Sequence, residues 1–439
     1  MTNPIWHSGS EHDEDKQVME FLAGEDVILD QALFPFDVLA TQAHVNGLAR
    51  IGVLSDDDAS QLVQWLDELA EQFRLGDFVL DARFEDGHSA IEYFLSQRSS
   101  SLGGKVHTGR SRNDQVQVAV RLYLKHSLAE MQTQTAEIAQ ACLKRASQDK
   151  DVAMPGYTHL QPAVPSSVGM WMAGFAEAFT DDLEFAVATA KALDCNPLGT
   201  AAGYGVNLPL DRDGVSTELG FSRTQINPVN VQNSRGKFEV MALQVAGHVL
   251  RDVQRLAWDL SLFASAEFGF VNLPEKFTTG SSIMPNKKNP DVVELLRARA
   301  AVVDGAVHEI QSILSLPSGY HRDLQFTKAP LLRGISATLQ ALSIVPGLIS
   351  GMKFDKTRMS DALTADAFAT DITVELAVDG VPFREAYRRT KQQIDQIEKG
   401  DPQASLARRV SPGAHADLQL EVIGERLQKL LLKNNQQKG

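Results

Sequence analysis

Cysteine is nearly absent from this 439-residue chain: only Cys142 and Cys195 occur, and neither sits in a CxxC pair. That scarcity argues against a disulfide framework and against a thiolate zinc site. Positive charge is also in deficit. Lys and Arg number 42 against 56 Asp and Glu, and the net charge of −14 argues against nucleic acid or an anionic membrane as the main partner. A local basic pocket for a small anion is compatible with that balance. The opening residues, MTNPIWHSGSEHDEDK, lack the apolar core of a signal peptide. Residues 334–352 carry no charge, yet their Ser, Thr and Gln side chains and Pro346-Gly347 suit a buried helix better than a membrane span. The chain reads as soluble and cytoplasmic. Strand-like alternation is scarce and no tandem repeat occurs. Metal ligation has little support: His88 and Glu92 lie four apart, without an HExxH pattern or a dense carboxylate cluster.

Glycine and proline are missing altogether between Arg110 and Met154. Within that span Val116, Val120, Leu124, Leu128 and Met131 recur at three- and four-residue spacing, the period of a one-sided helix. The pattern predicts a helix from about Asp114 to Ala146. It repeats after Pro165 through Val168, Trp171, Phe175, Phe179 and Leu183, and again over 237–267 through Leu243, Leu250, Val253, Leu260 and Phe263. A fourth long helix is predicted to start at Asn289-Pro290, since Asn caps well and Pro is tolerated at the first helical position. Ser55 with Asp56–Asp58 reads as a further helix start. Such long apolar helices pack as bundles, and their surplus apolar faces suggest self-association. The expectation is an all-α protein of three regions: 1–110 small and helical, 111–353 a bundle of long helices, 354–439 small and helical with a frayed tail. With 43% hydrophobic residues the chain can bury a large core.

Four polar clusters interrupt the helices. HTGRSRNDQ (107–115) reads as a capping box, Ser111 with Asp114 three residues on; it also sets Arg112 and Asn113 at a helix N-terminus, where free N–H groups and the dipole attract carboxylates. Gly103-Gly104-Lys105 is not a phosphate loop, because Ser99 and Val106 stand where that motif needs Gly and Ser or Thr. PGYTHLQPAVP (155–165) reads as a loop that places Thr158, His159 and Gln161 together, with an imidazole that titrates near neutrality. TTGSSIMPNKKNPDVVE (278–294) sets Lys287 and Lys288 close to a helix start, against the helix dipole, a placement that makes sense for holding an anion. SGYHRDLQFTK (318–328) carries Tyr320, His321, Arg322, Gln325 and Lys328, and is otherwise a solvated turn.

Together HTGRSRNDQ, GYTHLQ, GSSIMPNKKNPD and, more loosely, GYHRDLQFTK resemble the fumarase/aspartase superfamily, and within it the argininosuccinate lyases. The resemblance covers nearly the whole chain and is densest from Asp86 to Lys328. It implies elimination of fumarate from argininosuccinate to leave arginine, with no metal or organic cofactor. It implies Ser281 as general base, Lys287 as the cation facing the developing charge, and His159 with Glu294 handling the proton at the departing nitrogen, Glu294 lying on the second turn of its helix. Ser111, Arg112, Asn113, Thr158, Asn289, Tyr320, Gln325 and Lys328 match positions that hold substrate. A homotetramer is implied, each site drawing residues from three chains.

Some positions depart from that pattern. The start reads IWHSGS instead of a Trp-Gly-Gly-Arg-Phe segment. Asp26 stands where many relatives carry a substrate-contacting serine, His321-Arg322 replaces Asn-Lys, and Phe326-Thr327 replaces Glu-Asp. These changes leave the elimination residues intact and bear on how the amino-acid end is held. Two other readings remain open: a sister lyase releasing fumarate from another succinyl-amine, and a non-catalytic, crystallin-like structural protein.

Overall fold

A computed structural model describes residues 16–81 and 83–438. The acidic start and the IWHSGS segment lie outside the described residues. The chain is mostly helical, as its periodicity predicts. The principal helices are α1 (Lys16–Ala23), α2 (Asp26–Arg50), α3 (Asp56–Leu75), α4 (Gly87–Arg98), α5 (Arg112–Gln148), α6 (Val168–Leu193), α7 (Lys237–Phe263), α8 (Asp291–Ile313) and α9 (Lys328–Leu342). The strands are β1 (Ala153–Thr158), β2 (Gln161–Ser167), β3 (Val271–Asn272), β4 (Thr279–Gly280), β5 (Lys288–Asn289) and β6 (Lys353–Phe354). They pair as antiparallel two-stranded ribbons: β1 with β2, β3 with β6, β4 with β5.

Helix α5 runs 37 residues with neither Gly nor Pro, so nothing in it forfeits a backbone bond or helical propensity. Helix α3 starts as predicted, with Ser55 Oγ accepting the Asp58 N–H. The uncharged stretch 334–352 completes α9 and forms the helix Val345–Gly351, with Ile335, Leu342, Val345, Leu348 and Ile349 buried. The Gln-rich tail, expected to fray, continues the helix Leu420–Lys438.

The chain forms two compact units, each assembled from three separated stretches. Unit 1 takes residues up to 130, then 188–245 and 302–336; unit 2 takes 131–187, 246–301 and 337 onward. In unit 1, Phe34, Val45, Leu48, Leu62, Leu66, Leu69, Ile91 and Leu95 make one apolar core shared by α2, α3 and α4. A second cluster joins Ala40 and Ala43 of α2 to Val118 and Leu122 of α5 and to Leu198, Val215 and Phe221. In unit 2 the Trp171 ring packs edge-on against Phe263, centroids 5.3 Å apart, and its indole N–H donates to Asp259 at 2.8 Å. Gln254 donates to the Arg297 carbonyl at 2.8 Å, joining α7 to α8. These packed helices fix the frames on which the polar clusters sit.

Candidate active site

In unit 1 the HTGRSRNDQ cluster opens α5. The Ser111 N–H donates to Asp114 Oδ1 at 2.9 Å, which is one half of the expected capping box. The other half differs, because Ser111 Oγ accepts from the Asn113 N–H at 3.3 Å. Asp114 Oδ2 accepts the N–H groups of Gly199 and Ala201 at 3.0 and 2.8 Å. Burial raises its pKa against those donors. Asp114 is thus a buried tether between the start of α5 and the 199–201 segment.

Next to this helix start is a cavity of about 250 Å³. It gathers Arg112, Asn113, Tyr320, Gln325 and Lys328, and with them Asp26, Glu85, Asp86, His88, Arg235 and Arg322. Ser111 is next in sequence but does not line it. Lys328, only 4% exposed, lies 2.7 Å from Asp30 and 3.2 Å from Asp26. Burial opposes its charge, but the two carboxylates outweigh that and hold its pKa above the ordinary lysine value. Burial in turn raises the pKa of Asp26, which Lys328 offsets only in part. Arg112 reaches Glu85 at 2.8 Å and Asp86 at 3.0 Å, and Arg322 reaches Glu85 at 3.5 Å. Behind them His88 Nδ1 is 2.5 Å from Asp37. Burial disfavours that imidazolium, yet Asp37, with Asp86 and Asp30, raises its pKa overall. Asp86 shows the converse: burial works against its charge, but His88 and Arg112 depress its pKa. The Gln325 amide is spent on the Leu22 and Ala23 carbonyls at 3.1 and 3.2 Å, tying this wall to the end of α1.

In unit 2 the GYTHLQPAVP stretch is not a loop but the β1–β2 hairpin, with Thr158 paired to Gln161 around a two-residue turn. The turn residues His159 and Leu160 have φ of 55° and 58°. Left-handed backbone costs a non-glycine residue about 1–2 kcal/mol, so hairpin pairing holds the imidazole at a strained, exposed tip. The TTGSSIMPNKKNP stretch is a second hairpin, β4–β5, anchored by a hydrogen bond from the Thr279 hydroxyl to Asp291. Its tip carries Ser281, half-buried, and Lys287, exposed; Asn289 ends β5. Ser281 Oγ accepts the N–H groups of Ile283 and Met284 at 3.3 and 3.1 Å. Helix α8 starts at Asp291, its first bond running from the Glu294 N–H to the Pro290 carbonyl. Glu294 therefore lies in the first turn, not the second, and the cap position falls to Pro290 in place of Asn289. Within the chain Glu294 is 3.5 Å from Arg297, and no hydrogen bond or ion pair joins it to His159 among the described residues.

Sequence patterns passed over Asp30, Asp37, Glu85, Asp86 and Arg235. The first two left a signal: Asp26, Asp30 and Asp37 repeat at helical spacing on α2, and Asp30 and Asp37 are almost fully buried.

Solved structures share this fold. EDDS lyase in complex with formate matches with a TM-score of 0.81 at 24% identity, over 96% of this chain and 90% of that one. Class II fumarase from Schistosoma mansoni matches with a TM-score of 0.70 at 16% identity, over 85% and 90%. The class defined here is therefore one of fold, mostly helical and shared with these enzymes. The family model described as Lyase matches residues 13–305. Argininosuccinate lyase of Stenotrophomonas maltophilia (strain R551-3) is 53% identical over 417 residues, covering 95% of this chain and 97% of that protein. The chain belongs to the argininosuccinate lyase family.

Proposed function

We propose that this protein eliminates fumarate from argininosuccinate and leaves arginine. The observation that carries the reading is the 53% identity to an argininosuccinate lyase along nearly the full chain. In this chemistry a proton leaves the carbon beside a carboxylate before the C–N bond breaks, so negative charge gathers on that carboxylate. A fixed cation and aimed donors lower the barrier most where that charge develops. Lys287 supplies the cation. Ser281 is the base; a hydroxyl is a poor one, and the two N–H groups directed at its Oγ favour the oxyanion it must become. His159, oriented by Glu294, returns a proton to the departing guanidino nitrogen. Ser111, Arg112, Asn113, Thr158, Asn289, Tyr320, Gln325 and Lys328 surround the substrate.

The assembly is a cytoplasmic homotetramer in which other copies complete each site. Two features support this. Glu294 has Arg297, not His159, as its neighbour within one chain. Unit 2 exposes large apolar side chains on its long helices, with Phe185 at 38%, Trp258 at 52% and Leu295 at 63%. The discriminating assay follows fumarate release from a panel of succinyl-amines. Argininosuccinate is expected to be turned over with the highest kcat/KM; a better substrate elsewhere in the panel would establish the sister-lyase alternative.

A further inference from the structure

The β1–β2 hairpin carries His159 at its tip, and a second histidine holds its base. His415 lies in the turn His415–Asp417, is only 5% exposed, and places Nδ1 2.9 Å from Ser167 Oγ and Nε2 3.3 Å from Asp151. Ser167 is fully buried at the last position of β2, directly before α6, and its Oγ accepts the Met170 N–H at 3.1 Å. One protonation state satisfies every group. The Ser167 hydroxyl donates to an unprotonated Nδ1, and the Nε2–H donates to Asp151. Burial favours that neutral form, holding the His415 pKa below the ordinary value against the pull of Asp151. The opposite tautomer would face the Nε2 lone pair toward a carboxylate.

Other C-terminal residues grip the same end of the hairpin. Gln403 donates to the Asp151 carbonyl at 2.9 Å. Ala153 of β1 packs into an apolar cluster with Leu363, Ala367, Phe368 and Leu406. Further along, Tyr157 braces β1 against the rings of Phe263 and Phe268. The end of β2 has His415. From Ala153 to Thr158 the hairpin is about 17 Å long, so a tilt of about 5° at its base carries the tip about 1.5 Å. A misplacement of about 1 Å can cost about 10²-fold in rate.

We infer that His415 is a positioning residue for His159: by pairing with Ser167 it fixes the angle at which the hairpin leaves α6, and so the place of the imidazole at the tip. The inference rests on His159 acting on the proton at the departing nitrogen. His415 sits at the base of the hairpin, so it acts through the strands. Asp151 is largely exposed, and its contact contributes little beyond fixing the tautomer.

Two amide substitutions separate the contacts in the full-length protein. His415→Asn sets an amide oxygen near the place of Nδ1 and can still accept from Ser167. His415→Gln reaches the place of Nε2 and leaves that hydroxyl unpaired. His415→Asn is expected to keep kcat close to wild type, and His415→Gln to lose about 10- to 100-fold in kcat with KM for argininosuccinate unchanged. Ser167→Ala cuts the same contact from the other side and is expected to match His415→Gln. Amide exchange followed by mass spectrometry is expected to quicken in His415→Gln over 153–167 and to stay unchanged in α7 and α8. A residue serving only the fold would spread faster exchange through unit 2 and leave kcat per folded site intact. The inference is overturned if His415→Gln keeps wild-type kcat, if the Asn and Gln variants lose kcat equally, or if faster exchange extends to α7 and α8. His159→Asn tests the reaction separately. Full activity there would sink the role given to His159, whereas an inactive His159→Asn beside a fully active His415→Gln would sink this inference alone.

Discussion

Replacing Ser281 with alanine removes one oxygen, and the structure separates what that oxygen does for the fold from what it does for the reaction. Its fold role is to accept the Ile283 and Met284 N–H groups at 3.3 and 3.1 Å, on a hairpin tip where both are exposed. Water replaces such a partner, so each bond contributes at most about 1 kcal/mol. A domain stable by about 5–15 kcal/mol survives that loss. The reaction role is larger. Losing one acid–base group costs about 10² to 10⁴ in rate, or about 3–5 kcal/mol of barrier. Ser281→Ala should therefore keep its melting temperature within a few degrees, keep its affinity for argininosuccinate, and lose nearly all turnover in a fumarate absorbance assay. Ser282 is the internal control: it is exposed, and its hydroxyl accepts neither N–H group. Ser282→Ala should stay within about tenfold of wild type, below the smallest loss expected for a removed base. An active Ser281→Ala beside an inactive Ser282→Ala would refute the assignment.

If sites are shared between copies, dissociating and reassociating a mixture of inactive His159→Asn and Ser281→Ala subunits should restore a measurable fraction of activity; verified hybrid oligomers that stay inactive would place both groups in one chain. Sedimentation equilibrium of the unmodified protein should report a tetramer, and an active 48.0 kDa monomer would contradict it. Burial and the neighbouring Asp252 push Asp182 up to about 8. The folded state then holds a proton that the unfolded chain releases near pH 4, so unfolding free energy should fall as pH rises from about 4 to 8, by at most about 1.4 kcal/mol per pH unit. Asp182→Asn should flatten that slope in urea titrations, and an unchanged slope would show that the pair does not carry it.

Helix α5 could be read from the sequence because an apolar stripe continues through a span without Gly or Pro, and α6, α7 and α8 carry the same kind of stripe past Gly169, Gly174, Gly247 and Gly305. The four polar clusters stood out for the opposite reason, as breaks in that stripe. The β1–β2 hairpin was hidden: Pro155, Pro162 and Pro165 argue against strands, and the turn residues His159 and Leu160 take positive φ where Asn-Gly is the usual signal. The start of α8 was legible to within two residues, enough to move Glu294 by one turn. The cavity's charge pairing was the least legible part. Lys328 meets Asp30 across 298 positions of sequence, and no local pattern encodes such a contact. Arg235 lies just before α7, where an isolated arginine looks like an ordinary surface residue.

The most direct test of the account incubates the purified protein with argininosuccinate and identifies both products by proton NMR. Fumarate and arginine appearing in equal amounts, at a rate set by enzyme concentration, is the predicted result. Intact argininosuccinate under conditions where another succinyl-amine yields fumarate would contradict the central claim while leaving the lyase fold untouched.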